Sequence, residues 1–212
     1  MGETPCRFES GPGQSLDGAP SATYSEVDPR VPPAHHVVNN SKTQASIARA
    51  KPDDAPALAA LGAATFTETF GHLYPPEDLQ AFLVGSHSVA AWTRTLANEK
   101  HAVWLARFAG TAPIGFISVG PCKLPVACCE PTAGEIQQLY VLARHQNLHL
   151  GSHLMGVALQ WLEAQGRSPL YIGVWSENLG AQRFYVRYGF GKVGEYGFHV
   201  GKTVDHEFIL RR

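Results

Sequence analysis

Glu135-Ile-Gln-Gln-Leu-Tyr-Val141, Gln146-Asn-Leu-His-Leu-Gly151, Leu170-Tyr-Ile-Gly-Val-Trp175 and Asn178 … Ala181-Gln-Arg-Phe-Tyr185 … Gly189-Phe190 together decide the fold. The first segment reads as a strand. A turn from Ala143 to Gly151 follows, then a helix to about Gln165. Leu170 to Trp175 reads as a second strand, and the residues after Asn178 as a second helix. The turn carries a physical meaning of its own. The first amides of a helix have no intrahelical acceptor and point outward, and the helix dipole favours an anion there. Gly151 lets a backbone come close to such an anion. Leu148, His149, Leu150, Gly151 and Ser152 would line its rim, with Gln146 and Asn147 leading into it.

Upstream of this stretch the elements are short. Ala45 to Ala50 is a strand candidate. Pro52-Asp53-Asp54 opens a helix whose stripe runs through Ala57, Leu58, Leu61, Ala64 and Thr65, since acidic residues in a first turn complement the dipole. The aromatic segment Phe66 to Tyr74 follows. Pro75-Pro76 then breaks the chain, and short helices are expected from Glu77 to about Val84 and from Ser88 to Ala97. His101 to Phe108 and Pro113 to Val119 form an antiparallel pair about an Ala109-Gly110 turn. Gly120 to Ala133 is a loop. Gly191 to Val200 and Val204 to Leu210 close the chain as a hairpin. This β-α-α-α-β-β-β-α-β-α-β-β order mixes hairpins with crossovers. It predicts an α/β (α+β) domain with one mixed, mostly antiparallel sheet and helices on both faces.

The 212 residues suffice for one domain and a tail. Residues 1–43 are rich in Gly, Pro, Ser and Asn and lack apolar periodicity, so they are expected to be a disordered tail, with residues 44–212 as the domain. His35-His36 falls in that tail. The net charge of −1 gives no support to a nucleic-acid or polybasic membrane role. No apolar run reaches membrane-span length, and the first residues do not read as a secretory leader. A cytoplasmic protein is expected. The four cysteines, Cys6, Cys122, Cys128 and Cys129, form no CxxC pair and are read as reduced thiols. His145, His149 and His153 stand at i, i+4, i+8, a metal-like spacing, but a turn up to Gly151 breaks any helix through them; no metal is expected.

The order of elements and these motifs resemble the GNAT superfamily of N-acetyltransferases, over about residues 44–211. The block Asn178 … Ala181-Gln-Arg-Phe-Tyr185 … Gly189-Phe190 is similar to the family's Asn … Ala-x-x-Phe-Tyr … Gly-Phe block. Gln146 to Gly151 matches its Gln/Arg-x-x-Gly-x-Gly/Ala turn, except that His149 holds the place of the first glycine. A β-carbon there would crowd the phosphate or strain the turn; an imidazolium would lend it charge. Both readings stay open.

The resemblance implies an acetyl-coenzyme A cleft, with the coenzyme as cosubstrate. The strand from Glu135 would splay from its neighbour and offer Leu139, Tyr140 and Val141 to the pantetheine arm. Asn178 would bond the arm or position the amine, or simply cap its helix. Tyr185 would protonate the departing thiolate; its alternative is a core tyrosine. Glu135 would act as general base; its alternative is an exposed strand end. Phe184 and Phe190 read as core. The closing hairpin, Phe198-His-Val-Gly201 … Asp205, resembles a bacterial branch that includes polyamine acetyltransferases. Thr65 to Tyr74, Ser118 to Lys123 and Tyr196 to Asp205 would wall the acceptor side. Glu68, Glu77 and Asp78 would attract a polycation or be solvated faces.

Two functions follow. One is acetyl transfer to a primary amine of a small molecule or peptide, by a monomer or homodimer. The other is a degenerate acyl-coenzyme A-binding sensor without turnover.

Overall fold

The computed structural model describes residues 45–126 and 130–212. The expected tail, with Cys6 and His35-His36, and the pair Cys128-Cys129 lie outside these residues. The elements are β1 (Ser46–Arg49), α1 (Ala55–Phe70), α2 (Pro76–Ser86), α3 (Val89–Ala97), β2 (Ala102–Arg107), β3 (Gly115–Pro121), β4 (Gly134–Val141), α4 (Leu150–Ala164), β5 (Leu170–Trp175), α5 (Leu179–Val186), β6 (Gly191–Val200) and β7 (Thr203–Arg211). They follow the expected order. One segment differs: Phe66 to Phe70 continues α1 instead of leaving it, because Phe66 and Thr65 extend its buried face.

The seven strands form one sheet in the order β1-β2-β3-β4-β5-β7-β6, antiparallel except between β4 and β5. Successive side chains on a strand point to opposite faces. Trp104 of β2 therefore faces α4, where it meets Trp161 edge-on, and Phe116 of β3, paired to Leu105, meets Trp92 of α3 on the other face. Helix α4 buries Leu150, Leu154, Met155, Ala158, Leu159 and Leu162 along one stripe. Fully burying leucines such as Leu154 and Leu162 contributes about 2 kcal/mol each by transfer.

Of the acids expected as substrate attractants or solvated faces, Asp78 is buried and engaged by backbone, while Glu68 is exposed and also accepts one backbone amide. Asp78 accepts the amides of Lys202 and Thr203 at 3.0 and 3.1 Å and the Thr203 hydroxyl at 2.9 Å, so it ties α2 to the β6–β7 turn. Gly201 sits in that turn at φ +61°, and any β-carbon there would overlap the Asp78 side chain. Glu68 accepts the Ala143 amide at 3.1 Å and braces the turn after β4. The buried Asp78 carboxylate satisfies those amides locally and leaves little attraction for a distant cation.

His87 was not singled out by its local sequence. It is 3% exposed, packed on Phe66, Phe82 and Trp92, with both ring nitrogens unpartnered among the described residues. Burial drops its pKa from 6.5 to about 4. The unfolded chain therefore takes up a proton between these values while the folded chain does not, so stability is complete above pH 6.5 and is lost as pH falls to 4. That gap corresponds to about 3 kcal/mol. Urea unfolding at a series of pH values from 7 to 4 is expected to show this component in the native protein and to lack it in His87→Leu; parallel curves would contradict the assignment.

Candidate active site

The site begins where the sheet stops. Strands β4 and β5 pair for two residues only, Gly134–Leu170 and Glu135–Tyr171. Beyond them a register shift against β3 leaves Gln137 as an extra residue in β4. Such a bulge bends and twists its strand, which turns β4 away from β5. Leu142 donates its N–H to the Ile114 carbonyl on the β3 side, at 2.9 Å. By alternation, the peptide groups of Val141 and Leu139 point the other way, into the gap. There they lack a strand partner.

The gap opens into a cleft of about 970 Å³. Of the expected coenzyme residues, Leu139, Tyr140, Val141, Gln146, Asn147, His149, Leu150, Gly151, Ser152, Asn178 and Tyr185 line it, and so does Glu135. Leu148 does not; it is half exposed at the turn's outer edge. Its side chain therefore contributes no wall, and only its backbone remains near the rim.

One end of the cleft is the start of α4. Helix geometry begins at Leu150, and His149 is the residue before it, at φ 58° and ψ 10°, with no side-chain cap. Asn147 is also left-handed, at φ 63°. The glycine position of the motif thus keeps the conformation that glycine favours, although a histidine occupies it. The chain is turned so that the amides of Leu150, Gly151 and Ser152 have no intrahelical acceptor. The ring stays exposed. A β-carbon at Gly151 would touch the Phe184 ring at 3.7 Å, an ordinary contact, so the glycine leaves the groove open rather than relieving a clash. Gln146 also supports the turn. Its backbone N–H bonds Ala143 and its side-chain amide reaches the Val141 carbonyl at 3.2 Å, so it braces the turn against β4. The interrupted helix also separates His145, His149 and His153. Arg187, which the sequence reading missed, lies on the same wall with its guanidinium over the Phe184 ring.

The middle of the cleft holds Asn178 and Tyr185. The Asn178 side-chain oxygen caps α5 by accepting the Ala181 N–H at 3.0 Å. Its amide group is left for the cleft. Tyr185 is 7% exposed, set edge-on against Phe184 and Phe190, and its hydroxyl has no hydrogen-bond partner among the described residues. Burial, with the Glu207 charge behind it, pushes the phenol well above its ordinary range, so it stays a proton donor.

At the other end stand Glu135, Tyr196 and Glu207. Glu135 is buried, not an exposed strand end. Burial raises its pKa, opposed by the Lys123 amide that it accepts at 2.6 Å. Glu207 accepts the Tyr196 hydroxyl at 2.6 Å and is likewise raised by burial. Neither Tyr196 nor Glu207 carries a local motif. Their signal is the register of β7 between β5 and β6, which sequence spacing does not reveal.

Residues 63–190 match the family model described as "Acetyltransferase (GNAT) family". The chain belongs to the GNAT family. It is an acyltransferase by that membership. An uncharacterized N-acetyltransferase of Lactobacillus delbrueckii subsp. lactis is 25% identical over 170 residues, covering 80% of this chain and 98% of that protein. One from Mycobacterium tuberculosis strain H37Rv is 27% identical over 159 residues, 75% of this chain and 97% of that one. Among solved structures, the PaiA N-acetyltransferase of Thermoplasma acidophilum, in complex with coenzyme A, superposes with a TM-score of 0.63 at 18% identity, covering 80% and 98% of the two chains. That likeness concerns the fold.

A non-glycine residue in the left-handed region costs about 1–2 kcal/mol, partly offset by the extra freedom glycine has when unfolded. His149→Gly is therefore expected to stabilise this GNAT protein by about 0.5–1 kcal/mol in denaturant unfolding. A loss of stability would mean that the ring makes contacts which outweigh the strain.

Proposed function

We propose that the protein transfers an acetyl group from acetyl-coenzyme A to a primary amine of a small molecule or peptide. The observation that carries this reading is one continuous cleft joining three features: the unpartnered edge of β4, the uncapped start of α4, and the unpartnered Tyr185 hydroxyl. The amides of Leu150, Gly151 and Ser152 would meet the pyrophosphate, with Arg187 adding charge. The pantetheine arm would take backbone hydrogen bonds from Leu139 and Val141, beside Tyr140, and Asn178 would reach it from α5.

Transfer would be direct. The acceptor ammonium first gives a proton to Glu135, directly or through water. The freed amine attacks the thioester carbonyl, forming the C–N bond and an oxyanion that a β4 amide would hold. The C–S bond then breaks, and the thiolate takes the Tyr185 proton. The nitrogen's surplus proton restores the phenol. The products are the amide and coenzyme A, with one proton left on Glu135. A tyrosine kept protonated by burial suits the acid role.

A coenzyme-binding sensor without turnover was suggested by His149 alone. The turn reaches its left-handed geometry with histidine in place, which supports the enzymatic reading. The same proposal takes residues 44–212 as the transferase domain and the cytoplasm as its setting. No helix among the described residues is long and apolar enough to cross a membrane.

Tyr185→Phe is expected to lower kcat about 100-fold while acetyl-coenzyme A affinity stays within about twofold. Steady-state thiol release and calorimetry measure the two quantities. An unchanged kcat removes the acid role.

A further inference from the structure

The acceptor half of the cleft has a chemistry of its own. Its walls are aromatic. Phe66 stands 4.4 Å from Phe82 and 5.1 Å from Phe70, between ring centroids; Phe82 meets Phe198 at 5.7 Å, and Phe70 meets Trp175 at 5.9 Å. His87, buried and neutral, closes the row beyond Phe66 and Phe82. Trp175 is the register partner of Glu207, and Glu207 that of Tyr196, so the row ends at a carboxylate.

Glu207 sits over Gly173 of β5. A β-carbon at Gly173 would come within 2.8 Å of Glu207 Oε2 and 2.7 Å of the Tyr196 hydroxyl. The bare backbone of Gly173 is what makes room for the pair. Around Glu207 are Asp205 on the same strand, Glu135 from β4 and the phenol of Tyr196; both acids push its pKa further up. Asp205 accepts the Tyr74 hydroxyl. Lys123, on the loop before β4 and in the cleft wall, turns its backbone amide to Glu135, and its charge also acts on that carboxylate, not on Glu207. No lysine, arginine or histidine makes an ion pair with Glu207, Asp205 or Glu135 among the described residues. Tyr185, 7% exposed as a residue and with an unpartnered hydroxyl, lines the same cavity. A partly desolvated carboxylate without a cation favours a ligand that brings one. The aromatic row offers its area to a flat apolar body.

We propose that the Glu207 carboxylate, held by Tyr196 over the bare backbone of Gly173, anchors the acceptor's ammonium, and that the acceptor is a monoamine with a flat apolar body. This rests on the acetyl-transfer reading. The ammonium lies at Glu207, and its body fills the aromatic row toward Phe66 and Phe82. A diamine of similar length would lay its second charge among those rings, where the row ends in neutral His87 rather than a carboxylate. Tyr196 is a positioning residue: its hydroxyl fixes one carboxylate oxygen and leaves the other for the ammonium.

The test uses the full chain with acetyl-coenzyme A and two probes, 2-phenylethylamine and 1,4-diaminobutane. The native enzyme is expected to favour 2-phenylethylamine in kcat/KM. Glu207→Gln should raise its KM about tenfold or more, with the KM for acetyl-coenzyme A within about twofold. Tyr196→Phe should raise the amine KM by a smaller factor with little change in kcat. It serves as the test should Glu207→Gln fail to fold. An unchanged amine KM in the folded variant, or preference for the diamine, overturns the proposal. If the native protein binds coenzyme A but acetylates neither probe, the transfer reading fails at those amines. Calorimetry of 2-phenylethylamine on the coenzyme A complex then decides the anchor: binding lost in Glu207→Gln supports it, and absent or Glu207-independent binding overturns it.

Discussion

The parting of β4 from β5 is the constraint on which the rest depends. Two strands that begin as a parallel pair separate after Glu135–Tyr171. A sheet interior does not leave backbone groups unpaired without cost. Here the exposed groups of Leu139 and Val141 face a cleft instead of a neighbour. The extra residue at Gln137 supplies the bend, and the long connection through α4 brings the chain back to β5 in parallel. The same parting lets α4 and α5 aim their first turns into one space.

The two ends of that space are built by different means. At the α4 end the backbone does the work: left-handed Asn147 and His149 set the turn, and Glu68 and Gln146 brace it from α1 and from within the turn. At the hairpin end side chains do it. Asp78 fixes the β6–β7 turn, Tyr74 reaches Asp205, and Tyr196 reaches Glu207. The helix α1, extended through Phe70, puts its aromatic face against the hairpin end. The proposed acceptor pocket is thus a product of α1, α2 and the closing hairpin, while the proposed coenzyme channel is a product of β4, β5 and the two helices between and after them.

Much of this was legible in the chain. Strand and helix order followed from periodicity, turn residues and the Asn178–Phe190 block, because those signals are local. The turn that opens α4 was legible from Gly151 and its neighbours. What was not legible depends on partners distant in sequence. Asp78 meets Lys202 and Thr203 at separations of 124 and 125 residues, and no acid declares from its own neighbours which amides it will cap. Glu207 gains its place from the register of three strands and from a glycine on one of them. His87 owes its neutral state to rings from α1, α2 and α3. At His149 the structure shows the left-handed backbone that glycine favours, a conformation the residue type itself did not announce.

The central claim is that the gap between β4 and β5 receives acetyl-coenzyme A. Residue-resolved amide hydrogen exchange, with and without acetyl-coenzyme A, tests it most directly. The account predicts slower exchange at the amides of Leu139 and Val141, together with those of Leu150 to Ser152, while the already paired Gly134 amide changes little. Coenzyme binding that leaves the Leu139 and Val141 amides exchanging as before would contradict it.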